Sequence, residues 1–168
     1  MNQWLTADSE AAKESAVILL SRNGEHLGVP YQWSTVLSSL LCSMYDNGLM
    51  IGLDSSGEIA GVLAYTSGTG EDKYQDRTKI EVHLLFIEKR MRSGRMLTEA
   101  MRTLAGMILD SPSEIREIAF YANPSAINRR LFGKFAELIH TSEHPCGMLD
   151  YYRVIPERLL VYASRHSA

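Results

Sequence analysis

Cysteine is scarce in this chain: two among 168 residues, Cys42 and Cys146, far apart and with no CxxC spacing. That excludes a disulfide framework and fits a reducing compartment. Long apolar runs are also missing, and none approaches the length of a membrane span. The first residues, MNQWLTADSEAAKES, lack the basic-then-apolar order of a secretory leader, so a cytoplasmic location is expected. No repeat, low-complexity tract or linker-like stretch divides the chain, which reads as one domain over residues 1–168. Charge of one sign is lacking as well: a net −3 gives no whole-molecule attraction to nucleic acid or anionic membrane. There is no Walker-type phosphate loop, nucleophile elbow or HExxH.

What is present is an ordinary globular composition, 45% hydrophobic and 22% charged. Asp8 or Ser9 can cap a first helix that runs to about Arg22, where Asn23-Gly24 offers a stop. Pro30 precedes a second helix with Trp33, Val36, Leu37, Leu40, Leu41 and Met44 at helical spacing, an expected core face. LMIGL and EIAGVLAYT flank Asp54-Ser55-Ser56-Gly57 as a β-hairpin. A polar loop leads to a strand from Lys79 to Ile87, then to a helix facing inward with Leu97, Ala100, Met101, Leu104 and Ile108. IREIAFYA reads as a strand, and Asn123-Pro124 as a helix cap followed by its first residue. From Glu137 on, one or two strands and a tail are expected. A hairpin followed by a strand–helix–strand crossover implies a mixed sheet with helices on its faces.

The chemistry-bearing stretch is FIEKRMRSGRMLTEAM, Phe86 to Met101, in which Lys89, Arg90, Arg92 and Arg95 crowd around Gly94 between strand and helix. The first N–H groups of a helix have no internal partner, and its dipole favours an anion there. A glycine lets the backbone approach a bound group, and flanking cations add charge-assisted bonds. The alternative is a solvated basic turn. Nucleic acid is a third option, opposed by Glu99 among Arg95 and Arg102 on one expected outward face.

The element order, this turn and the segment YANPSAINRRLFGKFAEL together resemble the GCN5-related N-acetyltransferases, over roughly Leu49 to Glu137. The resemblance implies an α/β fold with a mixed, mostly antiparallel twisted sheet of about six or seven strands and helices on both faces. It implies transfer of an acetyl group from acetyl-CoA to an amine, by direct attack and without a metal. In that family a turn of pattern Arg/Gln-x-x-Gly-x-Gly/Ala holds the pyrophosphate. Placing Gly94 last sets Lys89 at the lead and Arg92 where a glycine usually stands; a register led by Arg90, with Ser93 as the first small residue, is the alternative. The implied cofactor contacts are Lys89, Arg90, Met91, Arg92, Ser93, Gly94 and Arg95, with Asn123, Asn128 and Phe132 on the second segment. Phe132 takes the place of the tyrosine that often protonates the departing thiolate, so water, Tyr121 or Tyr151 would have to serve.

Glu81 lies where family members often carry a glutamate and is the first choice of general base, with His83, two residues along the same strand face, the second. The resemblance also implies a bulge that exposes strand N–H groups around Leu85 and Phe86 for the acyl oxygen. His26, Tyr31 and Trp33 would border the acceptor pocket, although Trp33 reads better as core. His140, Glu143, His144 and Cys146 read as a structural loop rather than a metal site. The acceptor is expected to be a small-molecule or peptide amine. Oligomeric state stays open, a homodimer among the options, as does a catalytically silent acyl-CoA-binding module.

Overall fold

The computed structural model describes residues 2–166. In chain order its elements are β1 (Gln3–Thr6), α1 (Glu10–Arg22), α2 (Trp33–Tyr45), β2 (Leu49–Leu53), β3 (Ile59–Ser67), β4 (Lys79–Ile87), α3 (Gly94–Asp110), β5 (Glu117–Ala122), α4 (Ala126–Phe132), β6 (Glu137–His144), β7 (Gly147–Val154) and α5 (Pro156–His166). One open seven-stranded sheet runs β1-β2-β3-β4-β5-β7-β6. Every neighbouring pair is antiparallel except β4–β5, whose parallel alignment follows from the α3 crossover.

Strand alternation sends side chains to two cores. Met50, Leu63 and Ile118 meet α3 and α5 on one face, burying Met96, Leu104 and Leu159. Leu49, Ile51, Val62, Leu84 and Phe86 meet α1 and α2 on the other, with Leu20, Val36 and Leu40. The cap of α1 is Ser9, whose Oγ accepts from Ala12 N–H at 3.1 Å.

Four expectations are corrected. β1 is a strand that the sequence reading missed; Trp4 crosses paired Gly52 and Gly61, and its indole N–H donates to Met96 O at 3.2 Å. A Cβ on Gly52 would stand 2.8 Å from that ring and one on Gly61 2.7 Å, so both glycines are there for the indole. The tail beyond β7 is a helix, α5, which buries Leu159 and Ala163. The core face of α2 is rotated: Val36, Leu40 and Ser43 are buried, while Trp33 is 37% and Leu41 67% exposed. Glu99 does not share an outward face with Arg102; it is buried on α3 and paired with Arg95 at 3.3 Å. Among the described residues no helix is long and apolar enough to cross a membrane.

Candidate active site

The site begins where β4 and β5 part. Their ladder joins Lys79–Val82 to Glu117–Phe120 and goes no further, although β4 continues to Ile87. The gap beyond is a cleft of about 480 Å³, lined mainly by apolar side chains of β4, β5, α3 and α4, Leu97, Phe120 and Phe132 among them. A bulge sits at the fork. Ala64 faces Leu84 and Tyr65 faces Val82, leaving His83 as the extra residue on β4.

Backbone direction in the cleft follows from two bonds. Glu88 N–H donates to Ala60 O at 2.8 Å, toward β3, and Ile87 O accepts from Arg92 Nε at 2.8 Å on the opposite side. Alternation then turns the N–H and C=O of Leu85 into the cleft and those of Phe86 toward Val62 of β3. Of the two expected amides, the Leu85 N–H therefore opens on the cleft, while the Phe86 N–H is turned to β3.

At the far end of β4 a short 3-10 turn, Lys89–Met91, leads to Ser93, the N-terminal cap residue of α3, and then to Gly94. The first N–H groups of α3 have no intrahelical acceptor. Nothing lies within 4 Å of the position a Gly94 Cβ would take, so this backbone is bare. Arg92, Ser93 and Gly94 line the cleft. Arg92 is held there by Ile87 O and by its guanidinium lying 5.8 Å from the centre of the Phe86 ring. Arg90 is engaged elsewhere. It reaches Asp54 at 2.8 Å and Glu88 at 2.5 Å, anchoring the turn to the β2–β3 hairpin. Ser56 and Arg90 together hold the Asp54 carboxyl well below its usual range. Arg95 pairs with Glu99, while Lys89 is exposed and Met91 half-buried against the α3 core.

The second segment closes the cleft from β5. Ser125, not Asn123, caps α4: its Oγ accepts from Asn128 N–H at 3.1 Å. Asn123 Nδ2 instead donates to Gly28 O at 2.7 Å, and Asn128 Nδ2 donates to Asn123 O at 3.1 Å. These bonds tie the loop before α2 to the mouth of the cleft. Phe132 packs on Phe120, Phe135 and Tyr152, with ring centres 5.1 to 6.1 Å away.

Beside the fork lies a second, polar cavity of about 330 Å³, and His83 and Tyr121 line both spaces. Glu81 is 4% exposed, and its Oε2 lies 3.0 Å from His83 Nδ1. His83 Nε2 is 2.7 Å from Thr66 Oγ1. A carboxylate only accepts, so Nδ1 carries a proton toward Glu81, while Nε2 shares its hydrogen bond with the Thr66 hydroxyl, which can donate or accept. Glu81 Oε1 is sealed from solvent without a hydrogen-bond partner. Such a group is costly unless something arrives to pair it. Tyr121 donates to Glu71 at 2.7 Å; burial, and then that bond, keep its phenol above the ordinary range. Tyr151 packs tilted against Tyr121, ring centres 4.8 Å apart, and is itself buried, lining neither space.

Of the expected pocket borders, Tyr31 lines the polar cavity and His26 the cleft. Sequence reading missed Thr66, Glu71 and Tyr74. The last two sit in the loop before β4, where Lys73 and Tyr74 take positive φ and Gly68 closes against the Tyr74 backbone. The glycine pair Gly68 and Gly70, followed directly by Glu71 and Asp72, was the available signal. His140 and His144 lie on β6 and Cys146 in the β6–β7 turn. His140 meets Glu71 at 3.2 Å and His144 packs edge-on to Tyr121. Among the described residues no three metal-binding side chains gather.

An open sheet forked between parallel β4 and β5, with a bulge at the fork, decides the architecture. The fold is that of the GCN5-related N-acetyltransferases. A GCN5-related N-acetyltransferase from Brucella melitensis superposes with a TM-score of 0.66 at 14% identity, over 99% of this chain and 82% of that one. A Drosophila melanogaster polyamine N-acetyltransferase gives 0.67 at 10% identity, over 92% and 100%. AAC(6')-Ib, solved with paromomycin and acetyl-CoA, gives 0.62 at 16%, over 100% and 98%. No family model and no curated protein matches the sequence. The apolar cleft and the polar cavity meet beside the β4 bulge, where His83 and Tyr121 line both.

Proposed function

We propose that this chain is an N-acyltransferase that moves an acetyl group from acetyl-CoA to a primary amine in a ternary complex. One observation carries the reading: β4 runs from the Glu81–His83 pair, where His83 lines both spaces and Glu81 the polar cavity, past an open Leu85 N–H in the cleft to a cationic helix start. The same fold bound acetyl-CoA in AAC(6')-Ib and serves a polyamine acetyltransferase in Drosophila.

Coenzyme A suits the residues present. The bare N–H of Gly94 at the start of α3 and the Arg92 guanidinium would hold its pyrophosphate, the Ser93 N–H being already given to Met91 O. Lys89 is free to add charge from solvent, and the apolar cleft suits an extended arm, with Asn123 and Asn128 bracing its rim. When bound, acetyl-CoA supplies an acyl thioester as the electrophile. Leu85 N–H would be a fixed dipole for the negative charge that develops on the acyl oxygen. Glu81 Oε1 takes the first proton from the acceptor ammonium, and His83 fixes the carboxylate rather than receiving that proton itself. The amine nitrogen then attacks the acyl carbon, and its second proton finishes on the departing sulfur. Phe132 donates nothing, and Tyr121 holds its proton too tightly to be an efficient acid. Water at the junction of the chambers remains as the carrier.

Phe132 also favours a second reading, an acyl-CoA-binding module without turnover. Thermal unfolding with saturating acetyl-CoA tests the shared part: at about a hundredfold over Kd a ligand adds roughly 2.7 kcal/mol. No upward shift in Tm for a folded sample rejects both. A shift with no thiol release across a panel of amines leaves the silent module.

A further inference from the structure

The polar cavity has a charge that restricts its occupant. Glu71 and Glu81 reach it from different elements, and no lysine or arginine of the described residues lines it. Glu81 is almost fully buried and its Oε1 is unpartnered, an acceptor waiting for a donor. Glu71 is held differently. Tyr121 Oη and His140 Nε2 both converge on its Oε1, at 2.7 and 3.2 Å, which orients the carboxylate and leaves Oε2 out of both contacts. Three phenols, Tyr31, Tyr74 and Tyr121, line the cavity with the two carboxylates, beside His83 and His144. Tyr31, Tyr74 and Tyr121 each hold their protons more tightly than an ordinary tyrosine, through burial first and then through Glu81 or Glu71. Rings of this kind present a negative face to a cation.

From this arrangement, and resting on the acyl-transfer reading above, we infer that the acceptor is a short dication: a primary alkylammonium whose chain carries a second ammonium or guanidinium group. The first ammonium pairs with Glu81 Oε1 beside the fork, where it loses its proton. The second rests on Glu71 Oε2, against Tyr121. A singly charged amine satisfies one carboxylate and leaves the other facing an apolar chain. An amino acid or a carboxylate-bearing amine meets repulsion there. The cavity of about 330 Å³ lies at the small end of ligand pockets and suits a compact molecule rather than a polypeptide segment.

The test is calorimetric titration with 1,4-diaminobutane, 1-aminobutane and 4-aminobutanoate, on the free protein and on protein saturated with CoA. The diamine is expected to bind at least about tenfold tighter than the monoamine, with 4-aminobutanoate weakest. Glu71→Gln, with its fold checked by circular dichroism, should shrink the diamine-to-monoamine ratio to roughly twofold or less. Glu71→Lys should invert the order, placing 4-aminobutanoate above the diamine. Equal affinities for diamine and monoamine, a ratio untouched by Glu71→Gln, or no amine binding in either state would each overturn the inference. Diamine preference without any acetyl-CoA effect on Tm would instead sink the acyl-transfer reading and leave the dication site standing.

Discussion

His83 Nδ1 stands 3.0 Å from Glu81 Oε2, on the strand residue that the bulge pushes out of register. The bulge and the ion-pair geometry are one feature: without the extra residue, His83 would sit in the β3 ladder and Glu81 would lose its clamp. Division of labour follows, with Glu81 receiving the proton and His83 holding the carboxylate.

Glu81→Gln should lower kcat by about a hundredfold or more while preserving the Tm shift given by acetyl-CoA. His83→Asn should cost less, and its activity should recover as pH rises, because a poorly oriented base is helped by prior deprotonation of the amine. Steady-state rates from pH 6 to 10 read both. A Glu81→Gln rate equal to wild type across that range would identify another base.

The cations of the turn separate into two roles. Arg92→Ala should weaken acetyl-CoA binding by roughly tenfold, since its guanidinium lines the cleft. Arg90→Ala should leave that affinity within about twofold and lower Tm, because its partners are Asp54 and Glu88. Titration with CoA followed by thermal unfolding tells the two apart. Reversed effects would place the phosphate contact on Arg90.

Stability at low pH should track Asp150. This carboxylate is fully buried and accepts from Arg129 Nε at 2.7 Å and Nη2 at 2.9 Å, and from Thr141 at 2.6 Å. Arg129 above all holds its pKa below the ordinary value. A depressed folded-state pKa means stability that is complete above the unfolded value, near 3.9, and that is lost as pH falls through the folded one. Wild-type Tm should therefore drop below about pH 4. Arg129→Ala should lose about 5 °C or more at neutral pH, by leaving the buried carboxylate unpaired. Arg129→Lys should lose less. Denaturation scans from pH 2 to 7 measure all three.

Gly52→Ala should destabilise by about 1–3 kcal/mol through overpacking against Trp4 and Met96. Gly57→Ala is also unfavourable, but through its φ of +85° rather than through contact. Urea unfolding monitored at Trp4 and Trp33 gives both values. A shifted emission should accompany only the first, since only that glycine touches an indole.

Much of the scaffold was legible because local signals agreed with the fold. The hairpin announced itself by Asp54 and Gly57, β4 by its apolar run, and α1 by Ser9 and Asn23. The errors share a cause: tertiary burial chose between readings that periodicity left equal. Trp33 and Leu41 lie at helical spacing with Val36 and Leu40, yet the helix turns only the latter pair to the sheet. β1 was four residues long, too short for a pattern. At the site, Glu81, His83 and the turn could be named from their places on and just after β4 together with the family resemblance. Thr66, Glu71 and Tyr74 could not, because Thr66 meets His83 only through the β3 pairing and the other two reach the cavity only through the left-handed bends at Lys73 and Tyr74. Which of four clustered cations faces the cleft also depended on Asp54, remote in sequence from Arg90.

The fork between β4 and β5 makes one central strand behave as two in exchange with solvent. Below Val82 its amides are locked between neighbours on both sides; above it, every second amide has a partner only on β3 or none. Leu85 is therefore an interior residue whose amide hydrogen should trade with deuterium at the pace of a surface loop. Occupation of the cleft would be written in the slowing of that single proton, long before any product could be assayed.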